Sequence, residues 1–275
     1  MTASSQPRSA DINENVLLRE DHGPITVLTM NRGDARNALS AELVAALREH
    51  LEDLSRSLSI KAIIIAANGP VFCAGHDIRE LESHRQDGDG GKCFFTRTFS
   101  ASSALMLEIM ACPKPVIAAV TGTATAAGCQ LVATCDLAVA SEDARFCTPG
   151  VNIGLFCSTP MVALTRNVGQ KQAMEMLLLG EMISAEQACD YGLVNRVESN
   201  AKVIPVAMEM AETIASKSAA VISLGKKTFH AQQGLPAREA YDKAARAMAE
   251  NMLFADAEEG LAAFLDKRAP KWRDA

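Results

Sequence analysis

Lys61-Ala62-Ile63-Ile64-Ile65-Ala66-Ala67 is a continuous apolar run, β-branched at its centre and free of polar alternation. A strand with one wet face would alternate. A run without alternation suits a strand covered on both faces, as in parallel sheets. Val116-Ile117-Ala118-Ala119-Val120 and Leu137-Ala138-Val139-Ala140 read the same way. Helical patterns separate these runs. Upstream, Ser40 is placed to cap a helix whose apolar positions Leu43, Val44, Leu47, Leu51 and Leu54 recur at helical spacing. Downstream, a helix is expected over about Phe95 to Met110, ending before Pro113 and Pro115, and a short one over about Gly128 to Thr134. Strand, turn and helix in this order argue for an α/β architecture.

Before that frame, Val16 to Arg19 and Ile25 to Met30 flank His22-Gly23-Pro24 and read as a hairpin. Gln86-Asp87-Gly88-Asp89-Gly90-Gly91 reads as a flexible surface loop. Ser184-Ala185-Glu186-Gln187 has the capping-box pattern, and Gly192 can close that helix in the left-handed conformation. Beyond about Lys202 the chain is helical, with breaks near Ser218, Gly234-Leu235-Pro236 and Ala255-Asp256. The resulting division is a disordered extension over residues 1–14, a core over 15–200 and a helical region over 201–275.

A chain of 275 residues can bury a sizeable core without staples. Hydrophobic residues make up 48% and charged residues 22%, ordinary for a globular protein, and the net charge is −6. Such a balance offers no general attraction to nucleic acid or to an anionic membrane, so an anionic ligand must meet local donors. No apolar run approaches the ~20 residues of a membrane span. The eight cysteines form no CxxC pair and mostly sit in apolar sequence, so they read as free buried thiols rather than zinc ligands or disulfides. With no signal visible in residues 1–15, the expected location is the cytoplasm or another reducing compartment.

Two segments place small residues where a strand ends: Val71-Phe72-Cys73-Ala74-Gly75-His76-Asp77-Ile78, and Gly122-Thr123-Ala124-Thr125-Ala126-Ala127-Gly128-Cys129-Gln130. Small side chains let a ligand approach backbone N–H groups, and a helix N-terminus leaves such donors unpaired. N–H groups converging from two turns would stabilise an enolate-like thioester oxygen. The alternative is that the small residues serve tight helix–strand packing. Neither segment is a GxGxxG, a P-loop or a GxSxG elbow, and no histidine–carboxylate cluster suggests a metal.

Asn31 to Leu39, Phe72-Cys73-Ala74-Gly75-His76-Asp77-Ile78, Lys114 to Val120, Leu131 to Leu137, Ile183 to Ala188 with Gly192-Leu193-Val194, and Gly260 to Arg268 resemble successive signatures of the enoyl-CoA hydratase/isomerase (crotonase) family. They come in that family's order. The resemblance implies a spiral of ββα units followed by a helical trimerisation region, in a homotrimer or dimer of trimers. It implies an acyl-CoA ligand, no permanently bound cofactor, and an oxyanion hole made by the N–H groups of Ala74 and Ala127. It further implies coenzyme A contacts at Arg36, Cys73, His76, Asp77, Ile78, Phe264 and Lys267. Solvated Arg36 and core Phe264 are the plain alternatives.

The departures are chemical. The resemblance puts the two catalytic glutamates of hydratases at Gln130 and Gly150. A neutral amide can hold water but cannot take its proton at pH 7, and glycine can do neither. The expectation is a protein that binds acyl-CoA in fatty-acid or related metabolism, with weak or no hydratase activity. A non-catalytic binder, or an isomerase, thioesterase or decarboxylase of the same family, are the alternatives. His76, with an ordinary pKa near neutrality, is the candidate replacement for proton transfer.

Overall fold

The computed structural model describes residues 16–274; the expected extension at 1–14 lies outside them. The first unit is β1 (Leu17–His22) and β2 (Ile25–Met30), an antiparallel hairpin turned at Gly23 with φ 61°, followed by α1 (Ala41–Arg56). The Ser40 hydroxyl accepts from Leu43 N at 3.2 Å, which is the anticipated cap. The next units are β3 (Ala62–Ala67) and β4 (Val71–Cys73) with α2 (Ile78–Ser83) and α3 (Lys92–Ala111), then β5 (Val116–Val120) and β6 (Thr123–Thr125) with α4 (Ala127–Thr134). Last come β7 (Leu137–Ser141) and β8 (Arg145–Cys147) with α5 (Ser158–Leu164). Helix α3 begins earlier than its apolar periodicity suggested. The Asp89 carboxylate, inside the segment expected to be a plain loop, accepts from Gly91 N at 3.0 Å and Cys93 N at 2.8 Å.

Each later unit sends its first strand to one sheet and its second to another. The larger sheet runs β1-β2-β3-β5-β7-β10 and the smaller β4-β6-β8-β9, with β9 at Ile183–Ser184 and β10 at Arg196–Glu198. Strands β2, β3, β5 and β7 pair in parallel. The run 62–67 is apolar throughout because both faces are covered. Ile63 and Ile65 join a core with α1, α3 and α4, while Ala62, Ile64 and Ala66 pack with Val203, Ala207 and Ala211.

Those last residues belong to α8 (Val203–Ala215), the first tail helix, which packs on β2, β3, β5 and β7. The helical tail is therefore not a separate layer from its start. Of its later helices, α9 (Ala219–Gln232), α10 (Ala237–Asn251) and α11 (Ala255–Leu265), the first is capped by Ser218 and is parted from the second by Gly234-Leu235-Pro236. Between the cores, α6 (Gln170–Leu179) leads to α7 (Ala185–Asp190), whose Ser184–Gln187 capping box is formed. All eight cysteines are free.

Candidate active site

The ends of β4 and β6 lie side by side in the smaller sheet, so the two small-residue segments meet. A cavity of about 480 Å³ opens there, walled by His76 and Ile78, by Thr125 to Ala127, and by the stretch from Pro149 to Pro160. Gly75 makes the meeting possible. It sits at φ 91°, and a Cβ on it would lie 2.9 Å from Ala126 Cβ and 3.3 Å from the Ala127 nitrogen. Gly128 does the same for the helix behind, since a Cβ there would fall 2.1 Å from the Cys73 carbonyl oxygen. Ala126 adopts φ 50° and ψ −116°, a conformation few L-residues accept, and its N–H donates to Cys147 O at 2.9 Å.

The expected donor pair needs one correction. The Ala74 N–H donates to the Arg36 carbonyl at 3.0 Å, and the Ala74 carbonyl accepts from Thr125 Oγ1 at 2.9 Å. Ala74 is thus spent on holding the turn and has no N–H to offer a ligand. The next residues bridge to the strand-like segment at Leu39: Leu39 N donates to Gly75 O at 2.8 Å and Asp77 N to Leu39 O at 3.3 Å. That pattern leaves the N–H of His76 between them. Among the described residues neither the His76 N–H nor the Ala127 N–H, a first-turn donor of α4, has an acceptor.

The His76 ring is held by its Nε2, 3.0 Å from Ser102 Oγ, and by the edge-to-face contact with Phe99 at 5.0 Å. Burial pushes its pKa down to about 4, so the ring is neutral at pH 7. Gln130 is buried, and its Oε1 is sealed without a hydrogen-bond partner. It is not part of the cavity wall. Gly150 is overlaid by the following loop: a Cβ on it would meet Cys157 Sγ and Leu155 O, each at 3.0 Å. A longer side chain at 150 would have to displace that loop. Burial raises the Cys157 thiol above its usual range, although a hydrogen bond involving Gly150 works against this.

The expected coenzyme contacts divide. Ile78 lines the cavity, and Arg36 is exposed with its carbonyl tied to Ala74. The Asp77 carboxylate caps α2, accepting from Arg79 N at 3.1 Å and Glu80 N at 3.3 Å, and pairs with Arg32 at 3.2 Å. Burial opposes its ionisation, but those N–H groups and the Arg32 guanidinium hold its pKa below the ordinary carboxylate value. Cys73 is corrected as a contact: its side chain is sealed in the core and its thiol is pushed up to about 12 by burial. Phe264 and Lys267 lie at the exposed end of α11 and do not reach this cavity within one chain. Phe99, Ser102 and Ile153 escaped the sequence reading, because only the approach of α3 and of the loop after Gly150 brings them to the turn.

A larger cavity, of about 610 Å³, lies under α9. There Lys226 Nζ donates to Ile109 O at 2.9 Å, Lys114 O at 3.1 Å and Asp136 Oδ2 at 2.6 Å, while both ring nitrogens of His230, also in the wall, are buried without a hydrogen-bond partner. That ion pair ties the tail to the core and offers no proton to a ligand.

Similarity to known proteins agrees with this geometry. The chain is 44% identical over 260 residues to a zebrafish (Danio rerio) protein named enoyl-CoA hydratase domain-containing protein 3, mitochondrial, covering 94% of this chain and 88% of that one. The human protein of that name is 45% identical over 245 residues, covering 89% and 79%. Among solved structures, human enoyl Coenzyme A hydratase domain-containing protein 3 superposes with a TM-score of 0.86 at 43% identity, covering 94% and 100%. An enoyl-CoA hydratase from Mycobacterium smegmatis gives 0.89 at 45%, covering 94% and 98%. The fold is thus the crotonase fold of these enzymes. The cytoplasmic expectation is contradicted, because the zebrafish and human relatives are named as mitochondrial. The profile of the family described as enoyl-CoA hydratase/isomerase matches residues 20–275, and with relatives this similar over nearly the whole chain, the protein belongs to that family.

Proposed function

We propose that this protein binds acyl-CoA thioesters and polarises the thioester carbonyl between the N–H groups of His76 and Ala127. The observation that carries this reading is the pair of unpaired amides brought together by the close approach of Gly75 to Ala127. Fixed donors aimed at one oxygen, in a cavity with mostly apolar walls, stabilise an enolate without reorganising. The methyl of Ala127 narrows the hole without removing the donor. Arg36, Asp77 and Ile78 stand at the coenzyme side, and Phe264 and Lys267 serve a neighbouring subunit's site.

Water addition is a poor use of this cavity. Among the described residues no carboxylate lines it, and the ionisable side chains in its wall are His76 and Cys157. The expected place is fatty-acid or related acyl-CoA metabolism, with hydration of an enoyl thioester slower by ~10²–10⁴-fold than in a relative with both acids. Crotonyl-CoA hydration by the wild type and by Gln130→Glu tests this. Wild-type turnover equal to that of a two-glutamate relative would overturn it.

A second reading is a non-catalytic acyl-CoA binder. The packing of Cys157 over Gly150 favours it, since the space for a second acid is taken. Calorimetry with coenzyme A and short acyl-CoAs, joined to product analysis, separates the two. Tyr241, Met248, Leu253, Phe264 and Leu265 are exposed on the tail, which supports a homotrimer or a dimer of trimers, measurable by light scattering.

A further inference from the structure

One polar pair at this site is unaccounted for by an amide-only hole. Ser102 on α3 is buried, and its hydroxyl faces His76 Nε2 at 3.0 Å. Its neighbours behave differently: Thr96 Oγ1 donates to Lys92 O at 2.9 Å and Ser103 Oγ to Phe99 O at 2.8 Å, each turned back onto its own helix. Ser102 makes no such bond, so Nε2 is the one acceptor bonded to its hydroxyl among the described residues. If Nε2 carried the proton, a buried hydroxyl would be left with no acceptor, which is costly. The hydroxyl therefore donates to Nε2, and the imidazole proton sits on Nδ1. Nδ1 has no partner among the described residues, and it is not one of the sealed atoms. Phe99, itself part of the cavity wall, fixes the ring plane from the edge.

His76 thus brings two donors to one cavity, its amide N–H and its Nδ1–H. A carbonyl oxygen has two lone pairs, and the amides of His76 and Ala127 use both. A further donor needs a further acceptor. We propose that Ser102 positions His76 as a neutral hydrogen-bond donor to the acyl group, so that the site prefers acyl-CoA thioesters bearing a second acceptor oxygen near the thioester, of which 3-oxoacyl-CoA is the simplest class. This rests on the thioester reading of the cavity. Burial keeps the ring uncharged at neutral pH, as a donor of this kind requires.

The test compares acetoacetyl-CoA with butyryl-CoA by calorimetry, and reads the His76 tautomer by ¹⁵N NMR of histidine-labelled protein. The wild type should bind acetoacetyl-CoA roughly 3- to 10-fold more tightly, the worth of one neutral hydrogen bond. That ratio should fall to about one in His76→Phe, which keeps the amide and the ring contact with Phe99. The free protein should show the Nδ1–H tautomer, mixed in Ser102→Ala and restored in Ser102→Thr. Equal wild-type affinities, a preference that survives His76→Phe, or an Nε2–H tautomer would overturn the proposal while leaving the two-amide hole intact. Failure to bind either thioester would overturn the thioester reading and the ligand preference with it. The tautomer of the unliganded protein would still decide the role of Ser102.

Discussion

The two cavities differ in how their strongest donors are used. Under α9, Lys226 spends its three protons on Ile109 O, Lys114 O and Asp136, although both ring nitrogens of the nearby His230 find no hydrogen-bond partner. Beside β4 and β6, the amides of His76 and Ala127 have no acceptor among the described residues. Folding alone disfavours that, since an unmade buried hydrogen bond costs about 1–3 kcal/mol. The Lys226 pair is thus explained by stability, whereas the two unpaired amides at the smaller cavity fit a ligand.

The sharpest way to break this contrast is Lys226→Met. Removing the shared donor of this part-buried pair should cost about 3 kcal/mol, because Asp136 keeps only the Val116 N–H and two backbone carbonyls lose their partner. Acyl-CoA affinity of the folded fraction should be unchanged; a lost affinity would tie the two cavities together. Gly75→Ala acts on the other cavity. It forces a Cβ into a left-handed residue 2.9 Å from Ala126 Cβ, so about 2–3 kcal/mol of stability and most thioester binding should go. Chemical denaturation and calorimetry read both.

Acid should act next. In the unfolded chain His76 takes a proton at its ordinary pKa near 6.5, whereas burial holds the folded value at about 4. Between those values the unfolded chain binds more protons, so stability falls as pH is lowered through this window. About 2–3 kcal/mol should be lost by pH 4, and the loss should be absent in His76→Phe when denaturation midpoints at pH 7 and 4.5 are compared. The smallest effect is expected at Ala126→Gly. Relief of the φ 50°, ψ −116° conformation should add about 1 kcal/mol. Thioester affinity should hold, because the adjacent Ala127 amide is untouched; reduced affinity would show that the strained alanine itself aims the donor.

Much of this molecule was legible without coordinates where short-range chemistry decides. The hairpin at Gly23, the Ser40 cap, the Ser184–Gln187 capping box and the unbroken run 62–67 each follow from residues within a few positions of one another. The site was legible only as two segments. Reading Ala74 as a donor chose the right turn and the wrong amide. Which N–H of a turn is free depends on what pairs with its neighbours, here Arg36 O and Leu39, distant in sequence. Cys73 was misjudged for the same reason, its side chain being turned into the core by the strand it ends.

By itself the sequence determined the kind of elements, their order and the two small-residue turns, because periodicity, caps and glycine act locally. Tertiary structure alone decided which amides stay unpaired, that Ser102 stands behind His76, and that Cys157 covers Gly150. Those facts depend on how α3, β4, α4 and the loop after Gly150 pack together. Such packing joins residues far apart in the chain, and no local preference encodes which of their polar atoms will find partners.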